Sequence, residues 1–124
     1  AHRVIFAGYR WDLPQVLAAL DVFVHSSVEK DTSPLAVVSA MAAGRAIVST
    51  AVPGVVELFP SGEEAMLVPP ADPAALAHAL RQLLASPARR QALGCAARAQ
   101  AERALSLDHF AQHCEKVFAK ALAA

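Results

Sequence analysis

The segment EKDTSPLAVVSAMAAG, Glu29 to Gly44, sets an acid, two hydroxyl residues and a proline directly ahead of an apolar helical pattern. The first N–H groups of a helix have no partner inside it and lie at the positive end of its dipole. Such a mouth suits an anion, above all a phosphate. Pro34 has no N–H, which leaves the amides of Leu35 and Ala36 as the donors. Ser33 stands where a cap belongs, with Pro34 at the first helical position. A plain cap with water on the other amides is the competing reading. Asp31 lies just ahead of Thr32 and Ser33. Beside a phosphate, a carboxylate makes sense as an acceptor for neutral hydroxyls such as those of a sugar, because two like charges repel. An exposed loop acid is the alternative. Glu29 and Lys30 read as solvated neighbours, paired at little energetic value.

Gly54, in a Pro53-Gly54 turn, is followed by Glu57. Glycine lets backbone approach a ligand, and the acid can orient nearby amides; alone, the pattern is a turn. His25, ending an apolar run, is a rim residue able to face a ligand. His109, His113 and Cys114 share one helical pattern, but no fourth residue stands at metal spacing, so no metal site is expected. The arginines at 81, 89, 90, 98 and 103 read as a solvated face. No serine, histidine and acid arrangement suggests a nucleophile, and no P-loop glycine pattern is present.

These residues need elements to hold them. Arg3 to Ala7 reads as a strand, Leu13 to Leu20 as a helix behind Asp12, and Asp21 to His25 as a second strand. The helix after Ser33 runs through Leu35, Val38, Met41 and Ala42 and stops at Gly44. Ala46 to Thr50 is a third strand, Val55 to Phe59 a short helix and Ala65 to Val68 a fourth strand. Asp72-Pro73 and Ser86-Pro87 each open a helix, the first with a stripe of Leu76, Leu80, Leu83 and Leu84. The terminal helices cover about 87–122. The last of them starts near Ser106 and carries an apolar face of Phe110, Cys114, Val117, Phe118 and Ala121 that needs a partner surface.

Alternating strands and helices predict an α/β fold, a Rossmann-like parallel sheet with helices on both faces. Ligands then sit beyond the carboxyl ends of the strands, where Asp31, Gly54 and His25 fall. Four strands are few for a doubly wound domain, which points to an incomplete half, and the chain opens almost directly in a strand, which points to sequence upstream of Ala1. The 124 residues suffice for one domain; 56% are hydrophobic and 18% charged, a composition that folds. Lysine plus arginine equals aspartate plus glutamate at 11 each, so no long-range field calls for nucleic acid. Cys95 and Cys114 read as reduced core thiols of a cytoplasmic protein. No run approaches the roughly 20 apolar residues of a membrane span, and no basic-then-apolar leader opens the chain.

DVFVHSS, an acid, PLAVVSAMAAGRAIVST, PGVVELF, EAMLVPP and DPAALAHAL occur in that order. Together they resemble the carboxyl-terminal, nucleotide-sugar-binding domain of a family 4 glycosyltransferase of the two-domain GT-B fold, from about Val4 to the early 80s. The resemblance implies transfer of a sugar from a nucleotide diphosphate sugar to an acceptor, with retention of anomeric configuration. No cofactor and no obligatory metal are implied. The family's two glutamates separated by seven residues fall on Asp31 and Ser39. The first binds hydroxyls of the donor sugar, and the shorter Asp31 keeps that chemistry. The second binds the ribose, and Ser39 has no carboxylate for it, a loss of about 1–3 kcal/mol of donor affinity. Thr32, Ser33 and Pro34 occupy the glycine-containing segment, Leu35 and Ala36 the phosphate-binding amides, Gly54 and Glu57 the usual glycine and acid.

The basic pair that neutralises the diphosphate, and the acceptor and catalytic groups, belong to parts of the family's proteins outside this stretch. The chain alone is therefore expected to be inactive. Its implied partners are a nucleotide sugar, an acceptor and an amino-terminal GT-B domain, with peripheral membrane association of the full-length protein. Ser39 favours an alternative, a binding or regulatory module of the same fold without transfer activity. A different GT-B enzyme, such as a sugar-nucleotide epimerase, is a third reading that fold alone leaves open.

Overall fold

A computed structural model of the protein describes residues 3–123. Three strands, β1 (Val22–His25), β2 (Ala46–Thr50) and β3 (Met66–Val68), form one parallel sheet in the order β1-β2-β3. Register pairs Val22 with Ala46 and His25 with Ser49, then Val48 with Met66 and Thr50 with Val68. The central strand AIVST is buried throughout, as a strand covered on both faces must be. Parallel strands need crossovers, and the first is α2 (Leu35–Ala42). Between β2 and β3 a 3-10 turn at Val56–Leu58 stands where a short helix is expected.

Side chains alternate across the sheet, so each face builds its own core. On one side Ile47 packs with Val37, Ala40 and Met41 of α2, with Leu17 of α1 (Leu13–Ala19), with Val52, Val55 and Phe59 of the following loop, and with Ala97 and Ala101 of α4 (Pro87–Ala104). On the other side Ala46, Val48 and Val68 pack against Ala79 and Leu83 of α3 (Pro73–Ala85). Asp72 Oδ1 accepts from Ala75 N at 2.9 Å and Ser86 Oγ from Arg89 N at 3.3 Å, the two caps that the sequence pattern locates. Ser106 Oγ likewise accepts from His109 N at 3.2 Å at the start of α5 (Leu107–Leu122).

Three expectations need correction. Arg3 to Ala7 forms no strand: Val4, Ile5 and Phe6 are 68%, 87% and 95% exposed, because strand-forming residues without a ladder partner have nowhere to place their backbone hydrogen bonds. Leu84 is exposed, so the α3 stripe is narrower than drawn. Cys95 is exposed on α4 and Cys114 half-buried on α5, so neither is a core thiol. The α5 face is a separate matter: no residue of α5 is buried, Phe110, Val117 and Phe118 are exposed, and the partner surface that the pattern calls for is not supplied among the described residues.

Candidate functional site

The three strands point their carboxyl ends to one edge, at His25, Thr50 and Val68. The loop after β1 and the turn after β2 meet there. Thr50 Oγ1 donates to Ser27 O at 2.6 Å, and Asp31 N donates to Pro53 O at 3.1 Å. The contact is so close that it admits only glycine: Gly54 sits at φ +92°, and a Cβ added there would lie 1.8 Å from Asp31 O. Glu57 Oε2 accepts from Gly54 N at 2.6 Å, which fixes the turn from its other side. Glu57 thus orients an amide, the role its spacing suggests.

Asp31 is anchored on both carboxylate oxygens. Oδ1 accepts from Ser33 N at 3.2 Å, and Oδ2 lies 3.2 Å from His25 Nε2. The other ring nitrogen, Nδ1, lies 3.2 Å from Ser49 Oγ. Both ring nitrogens of His25 therefore meet partners within the chain, Ser49 on one side and Asp31 on the other. Ser49 and Ser27 are site residues that sequence reasoning passes over. A buried serine-threonine pair closing an otherwise apolar strand was the available signal.

The helix mouth differs from the expected cap. No side chain caps α2, and Pro34 at φ −75°, ψ 62° centres an inverse γ-turn in which Leu35 N donates to Ser33 O at 2.7 Å. Ser33 does not cap because its backbone, not its hydroxyl, serves the helix start. Leu35 N–H is consequently not a free donor. Ala36 N–H has no backbone partner outside the helix among the described residues. Thr32, Ser33, Leu35 and Ala36 are all exposed, so the mouth is open. At the same edge of the sheet, Ser26, Val28, Thr50, Ala71 and Asp72 line a depression of about 200 Å³ that runs to the start of α3.

Ser39 lies one turn further along α2, and its Oγ donates to Leu35 O at 2.8 Å. The hydroxyl is thus committed to its own helix, the usual fate of serine inside one. It lines a groove shared with Leu13, Leu17 and Ala18 of α1. The structure brings His25, Asp31, Thr32, Ser33, Gly54 and Glu57 into one cluster with the α2 mouth, and leaves Ser39 on the helix behind it. Among the described residues no group of three or more His, Cys, Asp or Glu is placed to hold a metal ion, and no helix is long and apolar enough to cross a membrane.

The architecture recurs in solved structures. HepE from Anabaena, in complex with UDP, superposes with a TM-score of 0.90 at 25% identity over 96% of this chain and 33% of that one. A sucrose-phosphate synthase from Thermosynechococcus elongatus gives 0.78 at 29% identity, over 87% of this chain and 27% of that one. The C-terminal domain of the glycosyl transferase group 1 family protein LpcC from Francisella tularensis shares the fold, at 0.71 and 21% identity, over 84% and 53%. The chain thus spans about a third of the HepE length, 33%, and less of the synthase. No curated protein matches the sequence. The parallel sheet flanked by helices is that of GT-B glycosyltransferase domains. Residues 1–86 match the family described as glycosyl transferases group 1, and the chain belongs to that family.

Proposed function

We propose that this chain forms the donor-sugar side of a nucleotide-sugar site in a retaining, family 4 hexosyltransferase, as the latter part of its carboxyl-terminal domain. The observation that carries this reading is the clamp of the Asp31 loop on Gly54 at the mouth of α2. It sets a carboxylate, which accepts hydrogen bonds from neutral hydroxyls, beside a helix start that favours negative charge. A sugar diphosphate has hydroxyls and phosphate in that relation. The solved HepE complexes contain UDP and UDP-glucose, which supports a uridine nucleotide sugar as donor.

In this arrangement Asp31 orients the sugar ring, and Ala36 N–H with the α2 dipole stabilises charge that grows on the diphosphate as the glycosidic bond breaks. Positive side chains for that charge, and the groups that hold the acceptor, come from a second α/β domain and from other segments of the complete protein. The chain alone is accordingly expected to bind donor and not to transfer it. Retention rests on the family resemblance, and NMR of the product anomer tests it.

The complete protein, incubated with a panel of nucleotide sugars with and without acceptors, is expected to release nucleoside diphosphate. Asp31→Ala is expected to abolish that release while leaving the fold intact, and an undiminished rate would remove Asp31 from the site. Ser39, whose hydroxyl is bonded to its own helix, supports a second reading: a nucleotide-sugar-binding module without transfer activity. Nucleotide binding with no release from any donor would favour it.

A further inference from the structure

His25 closes β1, and its side chain is only 12% exposed. Its ring reaches three residues: Nδ1 lies 3.2 Å from Ser49 Oγ, and Nε2 lies 3.2 Å from Asp31 Oδ2 and 3.3 Å from Ser27 Oγ. The protons can be placed by elimination. An ionised carboxylate only accepts, so the nitrogen facing it, Nε2, must carry a hydrogen. Ser49 is fully buried and is the register partner of His25 across the sheet, so its oxygen is a fixed point. Its single hydrogen has two targets, His25 Nδ1 and, at 3.2 Å, Thr50 O. With a neutral ring the hydroxyl donates to Nδ1. With a cationic ring Nδ1–H donates to Ser49, and the hydroxyl turns to Thr50 O. In both arrangements Nε2–H stays on Asp31.

We propose that His25 is a positioning residue for Asp31: Ser49 orients the ring, and Nε2–H holds the carboxylate in one orientation before any ligand arrives. Its place in the reaction rests on the reading of Asp31 as the acceptor for sugar hydroxyls. Ser33 N–H takes Oδ1 and His25 takes Oδ2, so each carboxylate oxygen keeps lone-pair capacity for one further donor. The ligand groups that fit this position are hydrogen-bond donors, sugar hydroxyls among them, and a second carboxylate or phosphate is disfavoured there by like charge.

The direct test is ¹⁵N NMR of the His25 ring in the wild-type chain at a pH where the ring is neutral. The expected spectrum shows a protonated Nε2 and an unprotonated Nδ1; the opposite tautomer would overturn the proposal. Ser49→Ala removes the partner of Nδ1; Asp31 still keeps the hydrogen on Nε2, but the ring is expected to lose its fixed orientation and Ser33 N–H part of its exchange protection, whereas unchanged protection would show that Ser49 does not orient the ring.

Two variants then separate positioning from bulk. Glutamine can bring an amide N–H to the place of Nε2, and asparagine is too short. His25→Gln is expected to keep Ser33 N–H protected from exchange and UDP-glucose affinity within about threefold. His25→Asn is expected to lose the protection and about tenfold in affinity, the scale of one charge-assisted hydrogen bond. Equal behaviour of the two variants would count against positioning. If the wild type shows the Nε2–H tautomer and the Gln–Asn contrast in Ser33 protection yet binds no UDP-glucose, the donor-site reading falls while the role of His25 toward Asp31 stands.

Discussion

Replacing Gly54 by alanine drives a methyl group into the backbone of the facing loop. The added Cβ would lie 1.8 Å from Asp31 O and 2.7 Å from Asp31 C, whereas real Cβ contacts essentially never fall under 3.0 Å. The turn or the Asp31 loop must therefore retreat by more than an ångström. The left-handed backbone at φ +92° costs an alanine about 1–2 kcal/mol. Losing the Asp31 N–H to Pro53 O bond adds about 1 kcal/mol. A destabilisation of about 2–3 kcal/mol lowers Tm by about 10 °C in a domain of this size. The shift also carries Asp31 away from its bonding distance, so UDP-glucose affinity should fall at least about tenfold, the value of a hydrogen bond to a charged group. Gly62→Ala is the control. Gly62 has φ +73° but nothing within 4 Å of an added Cβ, so it reports backbone strain without the collision. Calorimetric titration and thermal unfolding of both variants separate the two effects. Affinity retained in Gly54→Ala, or lost equally in Gly62→Ala, would refute the clamp.

Other substitutions test other parts of the account. Ser39→Glu releases Leu35 O and restores a carboxylate on α2; nucleotide affinity should rise about tenfold, and an unchanged value by titration would mean the ribose is held elsewhere. Glu64 is 4% exposed and its Oε2 has no hydrogen-bond partner among the described residues, so Glu64→Met should stabilise the fold by about 1–3 kcal/mol, and a lower Tm would contradict this. The Arg10 guanidinium holds the Asp12 carboxyl below its ordinary range. Because the folded-state value is depressed, the pair's contribution is present above the ordinary aspartate range and is lost as pH falls through the depressed value. Arg10→Ala should return Asp12 to ordinary titration by NMR, and an unmoved titration would rule out Arg10 as the cause.

Local signals in the sequence locate what local physics determines. Asp72 and Ser86, each followed by a proline, and Ser106 cap helices because a short polar side chain can reach an amide two or three residues on, whatever the rest of the fold does. Ala46 to Thr50 is legible because a run with β-branched residues and no charged or alternating polar position suits a strand covered on both faces. Arg3 to Ala7 has the same local character and forms no strand, since a strand also needs a neighbour, which residue types cannot report. Ser33 has the right type for a cap, but the ψ of Pro34 closes a tighter turn first. The site shows the same division. Asp31, Gly54 and Glu57 are visible by type and position, but the collision that makes Gly54 obligatory joins segments 23 residues apart, and the Ser49 bond to His25 crosses between strands. Neither leaves a mark in local spacing.

The central claim is that the strand ends carry the donor site, and amide NMR during titration of this chain with UDP-glucose tests it most directly. The account predicts saturable shifts confined to Asp31, Thr32, Ser33, Ala36, Gly54 and Glu57, with α3 and α4 unmoved. Shifts centred instead on the opposite edge of the sheet, around Arg45, Arg90 and Arg98, or none at saturating ligand, would contradict it.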